Sequence, residues 1–181
     1  SQMQQAILAY LSGTRHAPRN RVIFLLSVKA GLRAKEIAGL TWAMITDSNG
    51  QVADKIALQD TASKGRSGRH IWMHKELRQA LVELQPMASV TARDHVVRTE
   101  RQDQTTAQVI VNLLACWYRR LGFEGCSSHS GRRTFITSAA RKISLVGGSL
   151  RDIQAMAGHA ALSTTQSYIE SDAEAQRRVV E

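Results

Sequence analysis

An α+β fold that is mainly helical is predicted by three features of this 181-residue chain. Apolar residues recur at helical spacing along most of its length. The exception is residues 41–73, where short runs of β formers alternate with turn signals. No internal repeat, low-complexity tract or linker rich in Pro or Gly breaks the chain. At 43% hydrophobic, it is long enough to bury one substantial core. The expectation is one domain over residues 1–181, helical, with one small antiparallel sheet or hairpin.

The elements follow in order. Met3, Ile7, Leu8 and Leu11 mark a first helix over residues 3–12. Pro18 opens a second, which runs through RVIFLLSVKA to Gly31, a glycine suited to the C′ position. Residues 34–40 read as a short helix with Ile37 and Leu40 facing inward. The runs TWAMIT and KIALQ flank the turn Asp47-Ser48-Asn49-Gly50, and SKGRSGR forms a second turn before HIWM. Residues 75–84 form a helix with Pro86 just beyond its end. Thr105 or Thr106 caps a long helix reaching Leu121 and stopped by Gly122. Another covers residues 131–142, and Ser149 with Asp152 makes a capping box for a helix ending at Gly158. Ser163 with Gln166 caps the last motif-bearing helix, which contains Tyr168. The pattern is weakest over residues 88–105.

Charge narrows the partner. Lys and Arg total 24 against 15 Asp and Glu, a formal net charge of +9. Only six of the cations are lysine, and arginine's planar fork suits bidentate phosphate contact. Such a balance favours nucleic acid. No stretch approaches the roughly 18–20 apolar residues of a membrane-spanning helix, and the first residues lack the charged start and apolar run of a signal peptide. Cys116 and Cys126 make no disulfide framework, so the expected setting is a reducing cytoplasm without membrane attachment.

Several segments carry chemistry. His129 and Arg132 stand three apart at a helix start, where free N–H groups and the dipole favour an anion. The same HSGRR run also fits a capping serine followed by surface basics. Arg33 follows Gly31 at a helix boundary, and Glu36 is placed to hold its guanidinium. The pair also fits a surface ion pair. Lys64 sits in a glycine-flanked turn, from which a lysine can swing to a leaving oxygen; any exposed turn has a similar composition. His159 directly follows Gly158, and Tyr168 comes nine residues later, where a tyrosine also serves as core. A phenol accompanied by two arginines, two histidines and a lysine suits attack on a phosphodiester, with the cations holding the charge that builds on phosphorus. Cys126 with His129, and His70 with His74, have spacings that suggest metal, but neither set has a second ligand pair.

Together these segments resemble the tyrosine recombinase family, which includes the phage-type integrases. The family's boxes are a G-L-R-x-x-E arginine, a hairpin lysine, H-x-x-R, G-H, and a tyrosine about nine residues further on. They fall here on Gly31-Leu32-Arg33 with Glu36, Lys64, His129 with Arg132, Gly158-His159, and Tyr168. Two positions depart from the pattern. Gly131 stands where a bulky apolar residue is common, which is expected to loosen packing, and Ala157 stands where leucine is common. The resemblance covers the catalytic part only, so the chain is expected to be a catalytic domain without the family's N-terminal DNA clamp.

The resemblance implies a site-specific recombinase or integrase that cleaves and rejoins duplex DNA, as mobile elements require. Tyr168 would attack the scissile phosphate to give a 3′-phosphotyrosyl enzyme and a free 5′-hydroxyl. Arg33, Arg132 and His159 would stabilise the phosphorane, Lys64 would protonate the leaving oxygen, and His129 would assist proton movement at the tyrosine. Arg66, Arg69 and Arg133 are expected DNA contacts. No cofactor is implied, neither metal nor nucleotide. The chain would be a monomer alone and a homotetramer on synapsed sites, with residues 171–181 docking on a neighbouring protomer. Two rivals remain: a type IB topoisomerase relaxing supercoils, and a catalytically silent, integrase-derived DNA-binding regulator.

Overall fold

The computed structural model describes residues 1–59, 68–88, 91–100 and 102–168. The chain divides into two compact units, Ser1–Phe135 and Ile136–Glu181.

The first unit is built around one buried helix. Helix α1 (Gln2–Ser12) starts where the Ser1 hydroxyl accepts the Gln4 N–H. Helix α2 (Ala17–Ala30) carries Pro18 in its first turn and ends at Gly31, whose φ of 65° is the left-handed conformation glycine permits. Val22, Ile23, Phe24, Leu25 and Leu26 are each no more than 1% exposed, so the middle of α2 is apolar and buried on every side. Each such residue contributes about 1.5–3 kcal/mol relative to exposure. Helix α3 (Ala34–Gly39) follows at once, with Ile37 and Leu40 both fully buried.

Strands β1 (Lys55–Leu58) and β2 (Arg69–Trp72) form the small antiparallel sheet, with Ile56 facing Ile71 and Leu58 facing Arg69. Ile56, Leu58 and Ile71 point into the core, while Lys55 and Trp72 lie outward with the ammonium 4.2 Å from the indole ring. Helix α4 (Lys75–Ala88) buries Leu77, Ala80, Leu81 and Leu84. Helix α5 (Ala107–Arg120) is capped by the Thr106 hydroxyl, which accepts the Val109 N–H, and buries Ile110, Leu114, Trp117 and Tyr118.

The structure departs from four of the expectations. Residues 41–46 are not a strand: Trp42–Met44 form a 3-10 turn, and the consecutive Met44 and Ile45 are both buried, unlike the alternation of a strand with one face in water. Their backbone pairs with the segment where the sequence pattern is weakest. The Trp42 N–H donates to the Asp94 carbonyl (3.0 Å), the Ala43 N–H to Ala92 (2.7 Å), and the Val96 N–H to Leu40 (2.8 Å). Pro86 lies inside α4 rather than beyond it. A proline there forfeits one donor and crowds the preceding turn, a local cost that the long apolar face of α4 offsets.

Helix α6 (Ser130–Ile143) begins in the first unit and ends in the second. Gly131 does not loosen it. A Cβ on Gly131 would stand 2.9 Å from the Ser27 Cβ and 3.1 Å from Val28 Cγ1, so the missing side chain is what lets α6 lie against α2. Gly131→Ala should therefore destabilise the chain by about 1–3 kcal/mol through overpacking. Urea denaturation of Gly131→Ala, Ser27→Gly and the double variant checks this. The double variant should be markedly more stable than the two losses added together, because the clash has lost its partner. Simple addition of the two losses would rule the clash out.

In the second unit, α6 leads to a 3-10 turn (Ser144–Val146), then α7 (Leu150–Ala157) and α8 (Leu162–Gln166). The Asp152 carboxylate accepts the Ser149 N–H (2.7 Å) and hydroxyl (2.9 Å), and α7 ends at Gly158 with φ 62°. Helices α7 and α8 pack together, and Ile136, Ile153, Ala157 and Thr165 are buried. The fourth departure falls on α8. Its N-cap is Ala161, not Ser163, and the helix ends at Gln166, so Tyr168 lies in the exit turn. The run Ser163-Thr164-Thr165-Gln166-Ser167 explains the shortness: these hydroxyls compete for the backbone, as when Ser167 donates to the Thr164 carbonyl.

Candidate active site

The turn at residues 31–33 is the centre of the first unit's site. Gly31 reverses the chain, and Arg33 becomes the N-cap of α3 in extended conformation. Glu36 reaches back: Oε2 accepts the Arg33 N–H at 2.7 Å and Oε1 accepts Arg33 Nη1 at 3.1 Å. Arg69, at the start of β2, donates Nη1 to Oε1 (2.8 Å) and Nη2 to Oε2 (2.9 Å) of the same carboxylate. The Glu36 side chain is 2% exposed, that of Arg69 11% and that of Arg33 41%. Arg33 is therefore held at its base and reaches outward.

Burial pushes the Glu36 carboxyl up, but hydrogen bonds from Arg69 and the Arg33 N–H, with both guanidinium charges, bring it below its ordinary 4.5. A depressed folded-state value means stability that is present above the unfolded value and lost as pH falls through the folded one. Wild-type denaturation midpoints should thus drop more steeply below about pH 4.5 than those of Glu36→Gln. Parallel slopes for the two proteins would mean that this ion pair is not what acid breaks.

Arg132 joins the same turn from α6. It is 5% exposed, and its Nη1 donates to the Gly31 carbonyl. His129, exposed, caps the start of α6: its carbonyl accepts the Arg133 N–H at 2.9 Å, and its own N–H donates to the Ser127 hydroxyl at 3.3 Å. Arg33, Arg69 and Arg132 thus gather on residues 31–36, around the carboxylate of Glu36. Guanidiniums brought together in this way suit an anion such as a phosphate.

The second unit brings His159 and Tyr168 together. The left-handed Gly158 ends α7, and the His159 ring is buried, with Nδ1 3.0 Å from the Thr165 hydroxyl. The Gln154 amide donates to the His159 carbonyl at 3.1 Å, fixing the backbone on the other side. The Tyr168 ring stacks on the imidazole, with centroids 5.6 Å apart and planes 17° from parallel. Its carbonyl accepts the Thr137 hydroxyl at 3.4 Å. Thr165 fixes the imidazole's orientation, and the imidazole in turn carries the phenol's ring.

Not every expected residue is placed. Lys64, Arg66 and residues 171–181 lie outside the described residues. Arg133 is exposed on the first turn of α6. Arg69, expected on DNA, has its fork on Glu36. Arg69 as an anchor and Thr165 as the imidazole's partner both went unnoticed in the sequence. The only signal for either was polarity at a buried position, which is visible only after folding. His70 lies on β2 and His74 just before α4, and no group of three or more His, Cys, Asp or Glu is placed to hold a metal among the described residues. Among the same residues, no helix is long and apolar enough to cross a membrane.

This helical fold with its small sheet, carrying a basic turn in one unit and a stacked His–Tyr pair in the other, is that of a tyrosine recombinase catalytic domain. The chain belongs to the phage integrase family, whose model matches residues 1–175. It is 30% identical over 170 residues to tyrosine recombinase XerC of Bifidobacterium longum subsp. infantis, an alignment covering 86% of this chain and 44% of that protein. It is 28% identical over 152 residues to the XerC of Pelobacter propionicus, with 83% and 47% covered. The chain thus spans about half the length of the curated relatives it matches. Among solved structures, XerA recombinase superposes with a TM-score of 0.76 at 24% identity, over 99% of this chain and 62% of that one. XerH recombinase bound to its difH substrate before cleavage gives 0.73 at 19% identity, over 98% and 51%. At these identities the likeness is one of fold.

Proposed function

We propose that this chain is the strand-cleaving and rejoining part of a site-specific DNA recombinase. What carries the reading is the family match over residues 1–175; the sequence boxes around Arg33, Lys64, His129, Arg132, His159 and Tyr168, which resemble the family's, support it. Tyr168 Oη attacks the scissile phosphorus and the bond from phosphorus to the 5′ oxygen breaks. The DNA is left joined to the enzyme by a 3′-phosphotyrosine. Arg33, Arg132 and His159 hold the charge on the pentavalent phosphorus. Lys64 gives its proton to the departing 5′ oxygen, and His129 assists removal of the phenolic proton. A 5′-hydroxyl from a partner strand reverses the step and rejoins the backbone. The bond energy stays in the phosphotyrosine, so neither metal nor nucleotide is required.

Duplex DNA is the substrate this reading assigns, with Arg66 and Arg133 on its backbone and four protomers on a synapsed pair of sites. DNA-bound relatives of this fold, such as XerH with difH and the Tn1549 integrase with transposon end DNA, agree with that assignment. The test uses a pool of nicked duplexes randomised across the cleaved strand, in which the nick lets the fragment beyond the cleavage site escape. Covalent protein–DNA adducts should survive detergent, disappear with protease, and map to Tyr168 by mass spectrometry of the tryptic peptide. DNA binding without any adduct across the pool would instead assign the chain to silent DNA-binding modules.

A further inference from the structure

We infer that Arg69 is a positioning residue for Arg33, acting through Glu36, an assignment that rests on the recombinase reading above. A single buried carboxylate receives two guanidiniums, but not equally. Arg69 meets it fork to fork, at 2.8 and 2.9 Å, from a side chain only 11% exposed. Arg33 shares it through one Nη at 3.1 Å and its backbone N–H at 2.7 Å, while its side chain stays 41% exposed. A bidentate pair is both stronger and more directional than a single bond. Arg69 therefore sets where the carboxylate points, and the carboxylate sets where α3 begins and where Arg33 leaves the backbone.

Arg69 has a second effect, on Arg33 itself. By occupying both Glu36 oxygens, it prevents Arg33 from closing its own fork on the carboxylate. Without Arg69, both oxygens of Glu36, one turn away and buried, become open to the Arg33 fork. A guanidinium folded back onto it is withdrawn from any phosphate outside. Arg69 thus competes for the carboxylate and keeps the more exposed guanidinium directed outward. Strand β2, which Arg69 opens, follows in the chain directly on the segment that holds Lys64. One residue therefore ties the base of that hairpin to the start of α3.

Trapping on the nicked pool, with stability and DNA affinity measured alongside, tests the inference. Arg69→Lys keeps the charge and loses the fork; it should slow adduct formation roughly 10–100-fold, the usual cost of losing a residue that orients a functional one. Its DNA affinity should remain near wild type. Glu36→Gln/Arg69→Met removes both buried charges together, so it should regain stability relative to Arg69→Met alone while remaining slow, which a purely structural role would not produce. In an Arg33→Lys background, adding Arg69→Lys should change the rate by no more than about twofold, because the residue it positions is already compromised. A wild-type rate for Arg69→Lys, full recovery in the neutral pair, or independent multiplication with Arg33→Lys would each overturn the assignment. Failure of the wild-type chain to form any adduct would strike the recombinase reading instead.

Discussion

Tyr168→Phe should abolish covalent adduct formation on every substrate while leaving fold and DNA affinity near wild type. The substitution is unusually clean here. The phenyl ring keeps the stack on His159, 5.6 Å between centroids, and the backbone carbonyl keeps its bond from Thr137. Only the phenolic oxygen, the nucleophile of the proposed mechanism, is lost, and the imidazole beside it is not placed to substitute in that proposal. Trapping on nicked DNA with a melting curve alongside checks both halves. An adduct that persists in Tyr168→Phe would place the nucleophile elsewhere. The other phenols are poor candidates: Tyr118 is buried, which with the neighbouring Cys126 pushes it up to about 12, and Tyr10 is partly buried against the core on α1. His159→Ala should be less severe than Tyr168→Phe, since the proposed nucleophile survives, but it removes the ring that carries the phenol and leaves buried Thr165 without its imidazole.

What could be read from the chain alone was whatever local rules decide. Pro18 and Gly31 bracket α2, Thr106 begins α5, and Ser149 with Gly158 brackets α7, because capping and left-handed backbone depend on a few adjacent residues. Arg33 with Glu36 was legible for the same reason, being three residues apart on one helical turn. The misreadings have non-local causes. The turn at Trp42–Met44 is shaped by residues 92–96, far along the chain, so a window over residues 41–46 saw only β-forming side chains. Arg69 reaches Glu36 across 33 residues, and Arg132 reaches the Gly31 carbonyl across 101. Composition marked both as cations fit for phosphate; only folding shows one of them spent on a carboxylate. Gly131 was misread for a related reason, since a missing side chain says nothing of what lies opposite until Ser27 is known to be there.

Lys64→Ala should slow cleavage of ordinary DNA by roughly 10²–10⁴-fold, the range lost with a general acid. A 5′ alkoxide is a poor leaving group, and in the proposed mechanism Lys64 supplies its proton. Replacing that bridging oxygen by sulfur changes the demand, because a thiolate is stable near neutral pH and leaves without a proton. Cleavage of the sulfur-bridged duplex by Lys64→Ala should therefore return close to the wild-type rate on the same substrate. Arg132→Ala provides the contrast. In the same proposal it loses a charge that stabilises phosphorus rather than the leaving group, so a deficit of about 10²–10³-fold is expected that sulfur cannot repair. It also deprives the Gly31 carbonyl of its buried donor, so its stability must be followed in the same experiment. Rates for the two variants on both substrates separate the roles. If Lys64→Ala is as slow on sulfur as on oxygen, the proton comes from elsewhere, and His129, exposed at the start of α6, becomes the group to replace next.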